Sequence, residues 1–337
     1  MKKTISIVSI IAIVVILDSC AKNSSPNPTP AAASTTTSTA NPWTKPTTFL
    51  DNKNVFTFCS MGGNLFIGTG SGRYRSTDSG SNWSSISNGL TDSTNCSVFT
   101  DGTALYTTKD GISGTTSAKI YKSINNGTTW ALFCNTGGFT GVVQHLDFIG
   151  TNIFVSGSNN IYKSADNGVT WALVYSGSLL TSIQTDGTNL FATDNYKLLK
   201  SVNNGSSFSI FVNDTITSMS MTSNLAIIGT KLFLAASYSK GVFISSNSGS
   251  NWSRINTGIV GAIQPLKIIA LYSESNNLFA TSTNRIFTTS NYGASWSILG
   301  TDIPTSSASN QISTKFILKT GGYVYAITSA GLYKIAN

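Results

Sequence analysis

Apolar positions in this chain fall in short clusters between turn residues, and the clusters return in a fixed order. One position is apolar six times over, at Phe58, Val98, Leu146, Ile183, Leu225 and Leu271. A tight turn follows, marked by Asp101-Gly102 and Asp186-Gly187, a pairing suited to hairpins. A second cluster comes next: Leu65-Phe66, Leu105-Tyr106, Ile153-Phe154, Leu190-Phe191, Leu232-Phe233 and Leu278-Phe279. A third is centred on Tyr74, Tyr121, Tyr162, Leu199, Phe243 and Phe287. The spacing predicts four short strands per unit, A to D, with the last turn of each unit joining C to D.

That last turn is a repeated phrase. Its fixed positions are Ser76, Asp78, Gly80 and Trp83; Ser123, Asn125, Gly127 and Trp130; Ser164, Asp166, Gly168 and Trp171. They continue as Ser201, Asn203, Gly205 and Phe208; Ser245, Asn247, Gly249 and Trp252; Thr289, Asn291, Gly293 and Trp296. Successive copies begin 47, 41, 37, 44 and 44 residues apart. A strand-built period of about 40–45 residues indicates propeller blades. Near the end, Ile317, Tyr323-Val324-Tyr325 and Leu332-Tyr333-Lys334 supply strands A, B and C without a fourth. Near the start, Pro42-Trp43-Thr44 begins a D strand without the other three. The expected fold is therefore all-β, a seven-bladed propeller over residues 43–337, with residues 43–49 closing the last blade.

Within the box, Ser and Asp or Asn side chains can bond the turn's own N–H groups, glycine tolerates positive φ, and the aromatic packs back over the turn. Only Asp78 and Asp166 keep an acid, which is too few carboxylates for calcium. No metal and no cofactor are expected. This Ser-x-Asp-x-Gly-x-Thr-Trp pattern resembles the BNR or Asp-box repeat. That repeat occurs in sialidases, xyloglucanase-type glycoside hydrolases, sortilin-type receptors and photosystem II assembly-factor-like propellers. The resemblance implies the propeller fold and leaves the activity open, because those activities share one scaffold.

Lys2-Lys3 and the apolar run from Ile5 to Leu17 read as a bacterial export signal over residues 1–19. It ends in Leu17-Asp18-Ser19-Cys20, which resembles a lipobox and makes Cys20 the expected lipidation site; an ordinary cleaved signal is the alternative. Residues 20–42, rich in Ser, Thr, Ala, Asn and Pro, read as a flexible tether. The expected location is the outer membrane, through a lipid anchor. Cys59, Cys96 and Cys134 read as buried thiols. His145, the single histidine, leaves almost no room for a histidine-based metal site or a Ser-His-Asp triad. The formal charge of +8 is spread round the ring through Arg75, Lys122, Lys163, Lys200 and Lys334. It reads as a solvated face, so no nucleic-acid partner is expected.

Strand alternation puts the A–B and C–D turns on one face and the B–C and D–A loops on the other. The acids that turn chemistry does not explain gather on the loop face. The expected ligand face comprises Arg73, Asp92, Lys109, Asp110, Asp194, Tyr196, Asp214, Tyr238, Lys240 and Arg285. The anchor, the repeat and a charged content of only 10% favour a monomeric, non-enzymatic binding propeller for a protein or glycan. The alternative is a glycoside hydrolase pairing Asp110 with Asp194 or Asp92, which requires carboxyls about 5–10 Å apart. The arginine triad and tyrosine–glutamate pair that the resemblance would demand of a sialidase have no counterpart.

Overall fold

In the computed structural model of the chain, the described residues are 42–90, 96–111, 116–157, 159–178, 180–194, 197–211, 225–236, 241–259, 268–282, 284–304 and 314–337. They build seven antiparallel sheets, six of four strands and one of three. In blade one, strand A is Val55–Met61, B is Asn64–Thr69, C is Gly72–Ser76 and D is Ser84–Ser85. The order A-B-C-D recurs in every four-stranded sheet.

Each blade buries its faces against its neighbours, which gives seven apolar clusters, one at each junction. The cluster that closes the ring joins Phe316, Leu318 and Tyr325 of blade seven to Phe58, Leu65 and Ile67 of blade one. A single blade has no second sheet against which to bury these side chains, so ring closure supplies the core.

Blade seven has strands Thr314–Thr320, Tyr323–Thr328 and Gly331–Ala336. Its fourth position is taken from the other end of the chain. Thr44 and Lys334 exchange both N–H···O bonds at 2.8 Å. The register is that of the other blades, where Ser84 faces Arg75 and Ala131 faces Lys122. The fourth strand expected over 43–49 shrinks to this one bridge. Elsewhere the third residue after the box aromatic donates its N–H to strand C, as Ile86 does to Arg73 at 2.9 Å and Ile255 to Val242 at 2.9 Å. Blade seven has Pro46 in that slot, and proline has no N–H to donate.

The box turns share one hydrogen-bond pattern. Ser76 Oγ accepts from Gly80 N at 2.9 Å and donates to Asp78 Oδ1 at 2.8 Å, which in turn accepts from Asn82 N at 2.9 Å. Asn125, Asn203, Asn247 and Asn291 take the acid's place with the same bonds. A neutral amide oxygen therefore suffices, which explains why only two copies keep aspartate. The N–H groups of the turn, led by that of Asn82, hold the Asp78 carboxyl down at about 2. The Thr170 side chain does the same for Asp166, also to about 2.

Two features of the turn were invisible in the sequence. The fourth residue adopts positive φ although it is never glycine, from Ser248 at 52° to Asn167 at 58°. The fifth position needs glycine for space as well as for φ. A Cβ on Gly293, at φ +83°, would lie 2.3 Å from Ile255 Cδ1 of the preceding blade. Gly293→Ala is expected to cost about 2–4 kcal/mol, read as a lower midpoint in denaturant unfolding with an unchanged slope.

The basic residue before the box is not a free solvated charge. Arg75 donates to the Asn126 carbonyl at 3.2 Å, Lys163 to that of Asn204 at 2.6 Å and Lys334 to that of Ser79 at 3.0 Å. In each case the acceptor is the fourth box residue of the next blade. Lys122 and Lys200 lie instead over aromatic rings, Lys122 over Tyr106 and Phe133, Lys200 over Phe191 and Phe211. Three of these five charges thus stitch one blade to the next, and two rest on rings of their own blade.

Candidate functional site

The loops opposite the box turns are positioned by the far ends of strands B and C and by the start of strand A. Of the residues expected there, Asp92, Tyr196, Asp214, Tyr238 and Lys240 lie outside the described residues. The other five separate into different roles.

Arg73 does not reach the rim. It is the second residue of strand C in blade one, and its side chain is fully buried. Its guanidinium donates Nε–H to Thr107 Oγ1 of blade two, and its other arm donates to the Thr108 carbonyl at 3.1 Å. Thr107 passes the chain on by donating to the Ser97 carbonyl at 2.6 Å. Arg73 is thus a polar bolt between the first two blades.

Asp194 is also turned inward. It ends strand B of blade four and is buried. Its Oδ2 accepts from the Tyr175 hydroxyl at 2.8 Å and its Oδ1 from Ser178 N at 2.7 Å. Burial, together with this carboxylate, raises the Tyr175 hydroxyl to about 12. Both carboxylate oxygens therefore hold the D–A connection of blade three against blade four. Asp110 accepts from Val143 N at 3.0 Å and fixes the crossing from blade two to blade three. A buried carboxylate with both oxygens committed is unsuited to attack or protonate a sugar, which removes Asp194 as a partner for Asp110; Asp110 itself is half-buried with its Oδ1 engaged.

Arg285 grips Asp302 through two parallel bonds, Nε to Oδ1 at 2.5 Å and Nη2 to Oδ2 at 2.6 Å. Such a fork both neutralises and orients the two groups. Lys109 remains exposed at the end of strand B in blade two. Directly opposite it in the ladder stands Lys119, also exposed, and Lys197 is exposed at the equivalent end of blade four. Like charges facing each other across a ladder are unfavourable to the fold. Lys119 was not singled out from the sequence, because only the register reveals its partner. The described part of the loop face thus presents Lys109, Lys119 and Lys197 together with the half-buried Asp110 and the ion-paired, exposed Asp302.

Three buried side chains of strand A are tied to the next blade. Cys59 donates Sγ–H toward the Val98 carbonyl at 3.7 Å, and Gln184 donates to the Leu225 carbonyl at 2.6 Å. Asp147, in strand A of blade three (His145–Ile149), accepts from Ile183 N at 2.8 Å. Val98, Ile183 and Leu225 are the same apolar slot in blades two, four and five, so one position of strand A latches three of the blades to the next. Cys59 and Cys96 are buried thiols and Cys134 a half-buried one. Burial pushes the Cys59 thiol up to about 12. Among the described residues, no three His, Cys, Asp or Glu side chains come together as a metal site would require.

Burial raises the Asp147 carboxyl from 3.8 to about 7, partly opposed by the Ile183 N–H. The folded chain therefore keeps a proton that the unfolded chain loses. The contribution of this group to stability is fully present below about pH 4 and is lost as pH rises to about 7. The loss is on the order of 2–4 kcal/mol. Asp147→Asn retains an acceptor without the charge. It is expected to remove this slope, measured as the difference in melting temperature from wild type at pH 4.5 and pH 8. The difference isolates Asp147 from His145 two residues earlier. An identical slope in both proteins would count against the assignment.

With this geometry established, similarity to solved structures can be weighed. YCF48 from Cyanidioschyzon merolae superposes with a TM-score of 0.64 at 12% identity, covering 88% of this chain and 99% of that one. YCF48 bound to D1 peptide gives 0.65 at 12% identity, covering 88% and 96%. The likeness is one of fold. An ancestral GH74 enzyme matches at 0.58 and 14% identity, over 88% of this chain and 46% of that one. No protein-family model and no curated protein matches the sequence. At these identities the neighbours show the propeller and carry no activity across.

Proposed function

We propose that this chain is an exported, lipid-anchored propeller of the BNR or Asp-box type. In this reading it binds a protein or glycan partner on its loop face and catalyses no reaction. One observation carries the proposal: Asp194, one of the two partners that the hydrolase reading offers to Asp110, is buried with both oxygens engaged by its own fold. Two further points support it. Exposed Lys109, Lys119 and Lys197 supply cationic contacts for an acidic peptide or an anionic glycan. A fold neighbour of nearly the same length is known bound to a peptide. The export-signal pattern, Cys20 and the tether composition support an outer-membrane location for such a ring.

The test is a combined peptide and glycan array probed with the full chain and with the Lys109→Glu/Lys119→Glu double variant. Binding that falls at least tenfold in the variant supports the loop face. Binding unchanged by the reversal places the ligand elsewhere. Turnover of a polysaccharide by wild type that disappears in Asp194→Asn, with folding intact, would overturn the non-enzymatic reading.

A further inference from the structure

Three consecutive blades expose aliphatic side chains where their neighbours carry polar ones. Ile124, Val169 and Val202 stand on the box turns of blades two, three and four. Leu132, Leu173 and Ile210 stand on the D strands of the same blades. All six are between 45 and 81% exposed. The D-strand residues pair with Tyr121, Tyr162 and Leu199, one step from the box turn. The six therefore line one arc at the outer edge of the box face. In blade one the same slots hold Thr77, Ser81 and Ser85, and in blade five Ser246, Ser250 and Arg254. An arc of this kind needs a partner, because apolar surface grouped on one side of a protein is uncommon without one.

The position of the chain's start indicates which partner. Trp43 occupies the box-aromatic slot of blade seven, since Thr44 meets Lys334 in the register that every residue after a box aromatic uses. The chain before residue 42 therefore enters the ring from the box face. In a ring of seven, blade seven lies across from the junction of blades three and four. The entry point and the apolar arc thus sit at opposite edges of one face. The tether expected from the sequence between Cys20 and this entry would span about 25 Å as a flexible coil.

We propose that this arc is a lipid-contacting edge. The ring rests box face down on the bilayer that anchors it, with the loop face turned outward. The inference rests on the anchored reading above, and it adds the orientation and the residues that set it. One lipid chain holds a protein only marginally, and a second membrane contact makes the attachment stable. Charge plays little part. Asp101, Asp166 and Asp186 on these blades are matched by Lys122, Lys163 and Lys200. Insertion is therefore expected to change less than twofold when anionic lipid is added or salt is raised.

The experiment uses the full lipoprotein in phosphatidylethanolamine–phosphatidylcholine vesicles, in a Cys134→Ser background. A polarity-sensitive fluorophore is attached at Val169→Cys, at Ser246→Cys or at Lys197→Cys. Brominated lipids are expected to quench the probe at 169 at least fivefold more than the probe at 197 on the loop face. Combined Ile124→Ser and Val202→Ser changes should abolish that contrast while the melting temperature stays within a few degrees. A probe at 169 that remains in water on an anchored ring overturns the proposal. So does a probe at 169 that leaves water only when a protein fraction is added, which assigns the arc to a protein partner. The mass of the mature chain reports Cys20 lipidation separately. If Cys20 carries no lipid, the soluble chain is mixed with the same vesicles, and equal quenching at 169 and 197 refutes the lipid edge.

Discussion

Replacing Trp43 by alanine is expected to lower the stability of the whole ring by about 3–5 kcal/mol. The side chain is buried in the cluster that holds Tyr333, Ile335, Ile303 and Ile286, and its indole donates to the Leu299 carbonyl at 3.2 Å. The loss should be global rather than local. Among the described residues, Thr44 makes the backbone bridge between the chain's start and strand C of blade seven, and without it that blade presents an unpaired strand edge. Thermal unfolding of Trp43→Ala, monitored beside light scattering, should show a lower midpoint and earlier aggregation. Trp171→Ala is the comparison. Trp171 is only half buried and bonds to the Gly168 carbonyl of its own turn at 3.1 Å, so its loss should be smaller. Equal effects would show that closure adds nothing to the aromatic slot.

Arg73→Ala should have an effect of similar size for a different reason. The arginine carries a buried guanidinium, and removing it leaves the Thr108 carbonyl without its donor at the first blade junction. The expected cost is about 2–4 kcal/mol, from two charge-assisted hydrogen bonds lost, an acceptor left unsatisfied and the side-chain volume vacated. Arg73→Lys should recover less than half, because an ammonium cannot reach two acceptors in the fork geometry of a guanidinium. Below the melting transition, ligand binding on the loop face should be unaffected. A variant of wild-type stability that has lost ligand binding would return Arg73 to the rim.

The second junction bond of the box tryptophans shows where sequence reasoning stops. Trp83, Trp171 and Trp252 donate to the glycine carbonyl of their own turn. Trp130 and Trp296 instead donate across the junction, to Ile86 at 2.7 Å and Ile255 at 2.6 Å. The repeated phrase is the same in both groups. The choice depends on how closely the neighbouring D strand approaches, which no local pattern encodes. The misplacement of Arg73 and Asp194 has the same origin. Their strand positions were read correctly, but a strand end can turn its side chain to solvent or into the neighbouring blade, and only the neighbour decides.

The sequence by itself determined the number of blades, the strand order, the turn that joins C to D and the borrowing of the last strand from the chain's start. Those features follow from local rules: the alternation of a strand, the hydrogen-bonding reach of Ser and Asp or Asn, and the φ that glycine permits. The tertiary structure alone decided which charges are spent inside the ring and which face water, and that an apolar arc lies across from the chain's entry. Those outcomes depend on distances between residues some forty positions apart, set by how one twisted sheet packs against the next.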